Sequence, residues 1–470
     1  MKQGVMCVRS VRSQGTKALA AACALGAVAW GVAAATTTSA AAAASPWAGL
    51  AGIHVRPDVQ VFPTGSNLDL SLAACQASWN VNCYNPQQLE QAYNLNGLYS
   101  KHITGKGTTI VLIDAYGSPT IDDDLAEFDG QEGLPNPSFR VIQPVGKVGA
   151  FDMDNGDMLS WANEATIDVD YSHAIAPGAN IVLLETPNDD PGTLANAVKY
   201  AVSHHLGNVI SQSFGLPEQY LGASAVKAWD SIYRQAAAEH ITVLASTGDD
   251  GASGINFSNG TYYNHAVVQW PASDPYVTAL GGTSLNLSQN GTRLSPDVVW
   301  NDSNNTAVND LLYGDDGPNP DGTGGGKSVV FSRPSYQNGV KSVTGGSRGV
   351  PDIAMSGACD GTVQVYGSYE GFEGWYAVCG TSEAAPLFAG IVALADQVAG
   401  HPLGFINPAI YKLYAEHAKG IVPVKSGNNT VDIQGVGTVR GYSARNGYSL
   451  VAGVGTVNGL LFVPELASAG

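Results

Sequence analysis

Asn180-Ile181-Val182-Leu183-Leu184, residues 191–205, Asn208-Val209-Ile210-Ser211-Gln212-Ser213, residues 223–239 and Ile241-Thr242-Val243-Leu244-Ala245-Ser246 follow one another directly, and this stretch decides the fold. The quoted runs are short and nearly continuous in apolar residues, as strands buried on both faces are. The two segments between them carry apolar residues at helical spacing. Strands of that kind separated by helices indicate a parallel sheet covered on both sides, with right-handed crossovers. Working outward, residues 109–114 read as an earlier strand and residues 160–174 as the helix that follows it. Residues 256–326, rich in Asn, Ser, Thr and Gly, read as surface insertions rather than core. The fold class expected is α/β, a parallel sheet with helices on both faces in one large domain over residues 85–470. Residues 45–84 form a short N-terminal extension before it.

Residues 1–44 have a different character. Lys2, Arg9, Arg12 and Lys17 precede an apolar run over residues 18–35 and a small-residue stretch, the order of a secretion signal. An uncleaved membrane anchor is the alternative reading, and removal of the segment is the one expected. The mature protein is therefore expected outside the cell, as a monomer with no membrane partner. Acids outnumber bases, 40 Asp and Glu to 22 Lys and Arg, for a net charge of -18. That balance excludes nucleic acid as a partner, because neutralising phosphates needs a basic face. Cys75, Cys83, Cys359 and Cys379 remain after the leader, and pairing in chain order is the simplest of the possible connectivities. No CxxC pair suggests a metal site.

Ser382 stands in Cys379-Gly380-Thr381-Ser382-Glu383-Ala384-Ala385-Pro386, a turn opening an apolar, small-residue helix. There its hydroxyl sits at the positive end of a helix dipole, and its own N–H is free to point at an oxyanion. An ordinary helix N-cap would look the same in isolation. Glu164 and Asp168, in Glu164-Ala165-Thr166-Ile167-Asp168, are four residues apart and share one helix face. Two carboxylates that close resist double ionisation and share a proton.

The neighbourhood of Ser382 resembles the Gly-Thr-Ser-x-x-x-Pro signature of the sedolisin family of serine-carboxyl peptidases, relatives of the subtilisins. The likeness runs from about Tyr84 to Gly459 and includes Thr104-Gly105-Lys106-Gly107, Asp114-Ala115-Tyr116-Gly117-Ser118-Pro119, residues 271–278 and Arg348-Gly349-Val350-Pro351-Asp352. The resemblance implies a subtilisin-like fold and a secreted endopeptidase acting on peptide or protein substrates at acidic pH. It implies Ser382 as nucleophile, Glu164 as base and Asp168 behind the base. Asp249, in Thr247-Gly248-Asp249-Asp250-Gly251, would be an oxyanion-hole acid that donates only when protonated. Asp250 is the alternative donor. Asp114 would be a structural acid near the site. Ser213 and Gly215, in Ser211-Gln212-Ser213-Phe214-Gly215, would offer an edge to substrate backbone. No histidine stands in the setting a subtilisin base requires, and His173 is read as a helix-end residue.

The chain departs from the family's pattern in two places. Asp432-Ile433 matches the first half of a calcium site, but the second half reads Arg445-Asn446-Gly447-Tyr448-Ser449, with Arg and Ser where Gly and Asp are expected. Calcium prefers several hard oxygens and more than one carboxylate, so the set is incomplete. The extension is also short beside the family's long prodomains. Two other readings stay open at this level: a tripeptidyl-type exopeptidase, and a non-catalytic secreted binding protein on the same fold.

Overall fold

The computed structural model describes residues 45–47, 50, 52–62, 70–314, 317–369 and 372–470. The leader expected at residues 1–44 lies outside them.

Each expected strand and helix forms. The strands of the main sheet are β1 (Thr109–Ala115), β2 (Ser138–Ile142), β3 (Asn180–Thr186), β4 (Val209–Gln212), β5 (Thr242–Ser246), β6 (Thr278–Ser284), β7 (Val298–Val299) and β8 (Ile353–Ser356). They make an eight-stranded sheet in the order β7-β6-β5-β4-β1-β3-β2, with β8 also on β6. Every pairing is parallel except the short β6–β7 contact. The helices that matter for the site are α1 (Gly156–Ile175), α2 (Pro191–Ser203), α3 (Ala223–Ala238) and α4 (Thr381–Ala399).

Alternation along the strands explains the apolar runs. Ile110, Leu112, Ile181, Leu183, Val209 and Leu244 pack into the core under α1 and α4. Val111, Ile113, Val182, Leu184, Ile210 and Val243 point the other way, into the core under α2 and α3. Successive side chains of a strand face opposite sides, so a sheet with two covered faces needs apolar residues at every position.

The reading of residues 256–326 as surface insertions is corrected here. They contain β6, a buried strand of the main sheet paired with β5 and β8. Its sequence, Thr-Ala-Leu-Gly-Gly-Thr-Ser, carries little apolar bulk because Pro351 and Trp300 press against Gly281 and Gly282 and fill the space themselves. Residues 45–84 belong to the same compact unit as the rest of the described chain, which runs from Ser45 to Gly470. The disulfides join Cys75 to Cys83 and Cys359 to Cys379.

Helices α1 and α4 pack against each other beneath the sheet. A Cβ on Gly390 of α4 would lie 2.6 Å from the Cβ of Ile175 at the end of α1. Only a glycine allows that approach, and further along the pair Ser382 at the start of α4 meets Glu164 in the middle of α1.

Candidate active site

The site gathers at the carboxyl ends of β1, β4 and β5, the edge where open parallel sheets bind ligands. From α1 come Glu164 and Asp168, both fully buried on one face. From α4 comes Ser382, in the first helical turn after Gly380. Ser382 Oγ donates to Glu164 Oε2 at 2.8 Å. Glu164 Oε1 and Asp168 Oδ2 have no other hydrogen-bond partner, which suits a proton held between the carboxyls. The Ser213 hydroxyl donates to Asp168 Oδ1 at 2.6 Å, so Ser213 serves the acid cluster as well as the edge strand. Asp114, at the end of β1, is buried with both oxygens unpartnered.

Burial pushes all these carboxyls up. Glu164 lies well above the ordinary glutamate range, through desolvation first and then the charges of Asp168 and Asp114. Desolvation raises Asp168 to about 8, against the opposing effect of the Ser213 hydrogen bond. Asp114 is raised well above its usual range by burial and by Asp168. Burial and mutual repulsion thus favour the protonated forms of these three neighbouring carboxyls.

Asp249 follows β5 and is buried. Its Oδ1 accepts from Thr381 N at 2.7 Å and from Thr381 Oγ1 at 2.8 Å. Its Oδ2 has no partner. A Cβ on Gly380 would lie 2.4 Å from that oxygen, so the glycine opens the space into which Asp249 projects. Desolvation, then the charge of Asp58, raises the Asp249 carboxyl well above its usual range, which favours a protonated Oδ2. The Ser382 N–H points to the same place. Asp250, the alternative donor, lines the cleft as Asp249 does, and burial lifts it to about 7.

Gly215 lines the cleft, and an extended segment of the chain lies against Ser213 and Gly215. The two-residue strand Arg56–Pro57 pairs antiparallel with Gly215 and Phe214. Asp58 N–H donates to Ser213 O at 3.1 Å, and Asp58 O accepts from Ser382 N–H at 3.2 Å. Sequence reasoning missed this occupant, because nothing in Arg56-Pro57-Asp58-Val59 marks it. His173 is buried against Pro135 O and Asp129 within α1, away from Ser382.

The Asp432–Ile433 pair does not fit calcium. Asp432 accepts from Thr438 Oγ1 and Asn304 Nδ2 with its two oxygens, and Ser449 Oγ accepts from Ala452 N. Arg445 and Asn446 are exposed. A lone carboxylate that is already satisfied leaves too few hard oxygens for the ion. His54, Asp157 and Asp189 bring donor atoms within 4.8 Å of one another at the rim. His54 Nδ1 is 2.8 Å from Asp189 Oδ1, an ion pair that ties the extension to the sheet.

Fold and site together define a subtilisin-like α/β protein whose serine faces a carboxylate in place of an imidazole. Residues 153–437 match the subtilase family, and the chain belongs to it, in the sedolisin branch. It is 32% identical over 399 residues to kumamolisin of Bacillus sp. (strain MN-32), covering 82% of this chain and 63% of that protein. It is 31% identical over 398 residues to sedolisin of Pseudomonas sp. (strain 101), covering 83% and 62%. The solved structure of Pseudomonas sedolisin, a serine-carboxyl proteinase complexed with two molecules of pseudo-iodotyrostatin, superposes with a TM-score of 0.69 at 29% identity. That match covers 83% of this chain and 99% of the other. The chain spans less than two thirds of the length of these curated relatives. Among the described residues no helix is long and apolar enough to cross a membrane.

Proposed function

We propose that this chain is a secreted serine-carboxyl endopeptidase that hydrolyses peptide bonds in acidic surroundings. The observation that carries the reading is the 2.8 Å hydrogen bond from Ser382 Oγ to Glu164, in a buried cluster of acids with no histidine.

Ser382 Oγ attacks the carbonyl carbon of an extended peptide lying along Ser213 and Gly215. Glu164 takes the hydroxyl proton, and Asp168, held by Ser213, keeps the base oriented. The carbonyl oxygen becomes an oxyanion within reach of the Ser382 N–H and a protonated Asp249 Oδ2. Glu164 returns its proton to the leaving nitrogen as the C–N bond breaks. Water then resolves the ester on Ser382 by the same base. No metal is needed for any of these steps, and none is assigned. Residues 1–44 serve as a secretion leader, residues 45–84 as an extension and residues 85–470 as the catalytic domain.

The test is hydrolysis of a quenched peptide library across about pH 2.5 to 8 beside a Ser382→Ala control. Acid-optimal cleavage missing from the control is expected. Hydrolysis by the control, or silence at every pH from folded protein, overturns the reading. Product lengths separate endo- from tripeptidyl action.

A further inference from the structure

The segment from Arg56 to Phe62 runs straight through the cleft. On one side of Ser382, Arg56 and Pro57 pair antiparallel with Gly215 and Phe214. On the other side, Gln60 and Val61 pair antiparallel with Cys379 and Val378, and Phe62 N–H donates to Ala377 O at 2.9 Å. Between these pairings the chain presents one carbonyl to the nucleophile. The Asp58 N–H is held by Ser213 O and its carbonyl oxygen by Ser382 N–H. A Cβ on Gly380 would lie 2.2 Å from Asp58 O and 2.4 Å from Asp249 Oδ2, so both oxygens face one point above that glycine. This is the pose that attack on the Asp58 carbonyl requires: backbone clamped on both sides, oxygen beside the donors, hydroxyl beside its base.

The Asp58 side chain is held as specifically as its backbone. Its Oδ2 accepts from Ser246 Oγ at 2.6 Å, at the end of β5. A Cβ on Gly215 would make only ordinary contact with the same oxygen, at 3.6 Å. The other titratable groups that interact with it are the acids Glu164, Asp249 and Asp250. Arg56 lies over the Phe257 ring instead of pairing with Asp58. Burial raises the Asp58 carboxyl to about 7, opposed by the Ser246 hydrogen bond and helped by Asp250, which suits a neutral acid in this pocket.

We propose that the cleft selects a peptide with a carboxylic acid side chain immediately before the scissile bond, that Ser246 makes the selection, and that the chain's own Asp58–Val59 bond is such a substrate. The proposal rests on the peptidase reading above and adds the substrate class and the processing point. Ser382 Oγ bonds to the Asp58 carbonyl carbon and its proton passes to Glu164. The Asp58–Val59 C–N bond breaks and the Val59 nitrogen takes that proton. One water then splits the ester, leaving a free carboxyl on Asp58, an amine on Val59 and a regenerated serine.

Two measurements test it. In the first, the full chain is incubated near pH 4, and its N-terminus is read by mass spectrometry. Wild-type protein should gain a terminus at Val59 at a rate independent of protein concentration, and Ser382→Ala should not. In the second, hexapeptides Arg-Pro-Asp-Val-Gln-Val and Arg-Pro-Ala-Val-Gln-Val are compared. One hydrogen bond to the side chain is worth about a 3- to 10-fold preference in kcat/KM for the Asp peptide. Ser246→Ala should bring that ratio to about one, a readout that does not depend on how the extension folds. A new terminus elsewhere, or equal rates for the two peptides, overturns the proposal while a cleaved peptide library keeps the peptidase reading. No hydrolysis of any peptide removes both.

Discussion

Replacing Asp249 separates the two things its carboxyl does. Oδ1 accepts from the Thr381 N–H and hydroxyl, fixing the start of α4, while the unpartnered Oδ2 faces the oxyanion position. Asn keeps both: its carbonyl oxygen can accept from Thr381 and its amide donates at any pH. Ala keeps neither. Loss of one oxyanion donor costs about 100- to 1000-fold in kcat, or about 3 to 4 kcal/mol of transition-state stabilisation. Asp249→Ala should therefore fall by that factor with KM little changed. The wild-type carboxyl works only when protonated, and burial raises its pKa, so the donor survives above the ordinary aspartate range and fails as pH rises through the raised value. Asp249→Asn has no such limit, and its alkaline limb should move upward. The assay is kcat/KM for one quenched peptide from about pH 3 to 8 for the three proteins. An Asp249→Asn profile identical to wild type, or an Asp249→Ala protein with full activity, would refute this assignment.

Glu164→Gln removes the base while preserving shape. A drop in kcat of about 100- to 10,000-fold, with peptide binding retained, is expected; unchanged turnover would move the base elsewhere. Stability should fall with rising pH. The folded pKa values of Asp168 at about 8 and of Asp274 and Asp396 at about 7 lie above those of the unfolded chain. Their contribution is thus complete below about pH 4 and is lost as pH rises toward those values, at about 1.4 kcal/mol per unit for each group. Thermal melts at about pH 4, 6 and 8 check this, and a melting temperature that climbs with pH contradicts it. Arg348 is fully buried and bonded to Asp352, with further bonds to Gly349 O and Val277 O. Arg348→Ala leaves Asp352 buried without its cation and should destabilise by about 3 to 5 kcal/mol in denaturant titrations. A loss below about 1 kcal/mol would mean the pair is replaced by water.

The candidate residues were legible because each sits in a local pattern that, together with its flanking stretches, resembles the sedolisin signature. Ser382 opens a helix of small residues after a glycine, and Glu164 and Asp168 repeat at a helical interval, so their shared face follows from the backbone period. The strands with bulky aliphatic residues were equally plain. β6 was not, because its apolar contacts come from Trp300 and Pro351 rather than from its own side chains. Arg348 to Asp352 read as part of a family pattern, and the structure shows that it carries a buried ion pair rather than a part of the site.

Local order along the chain thus established the α/β class and marked Ser382, Glu164 and Asp168 as candidates. Distances between residues far apart in sequence did not follow from it. That Asp114 joins the acid cluster, that Ser213 steadies Asp168 and that Arg56 to Phe62 fill the cleft depend on how the β1, β4 and β5 ends converge. Secondary structure is written in short-range periodicity, which a single sequence displays. A site is made by packing elements from across the chain, and here α4 packs along α1 so that Ser382 meets Glu164.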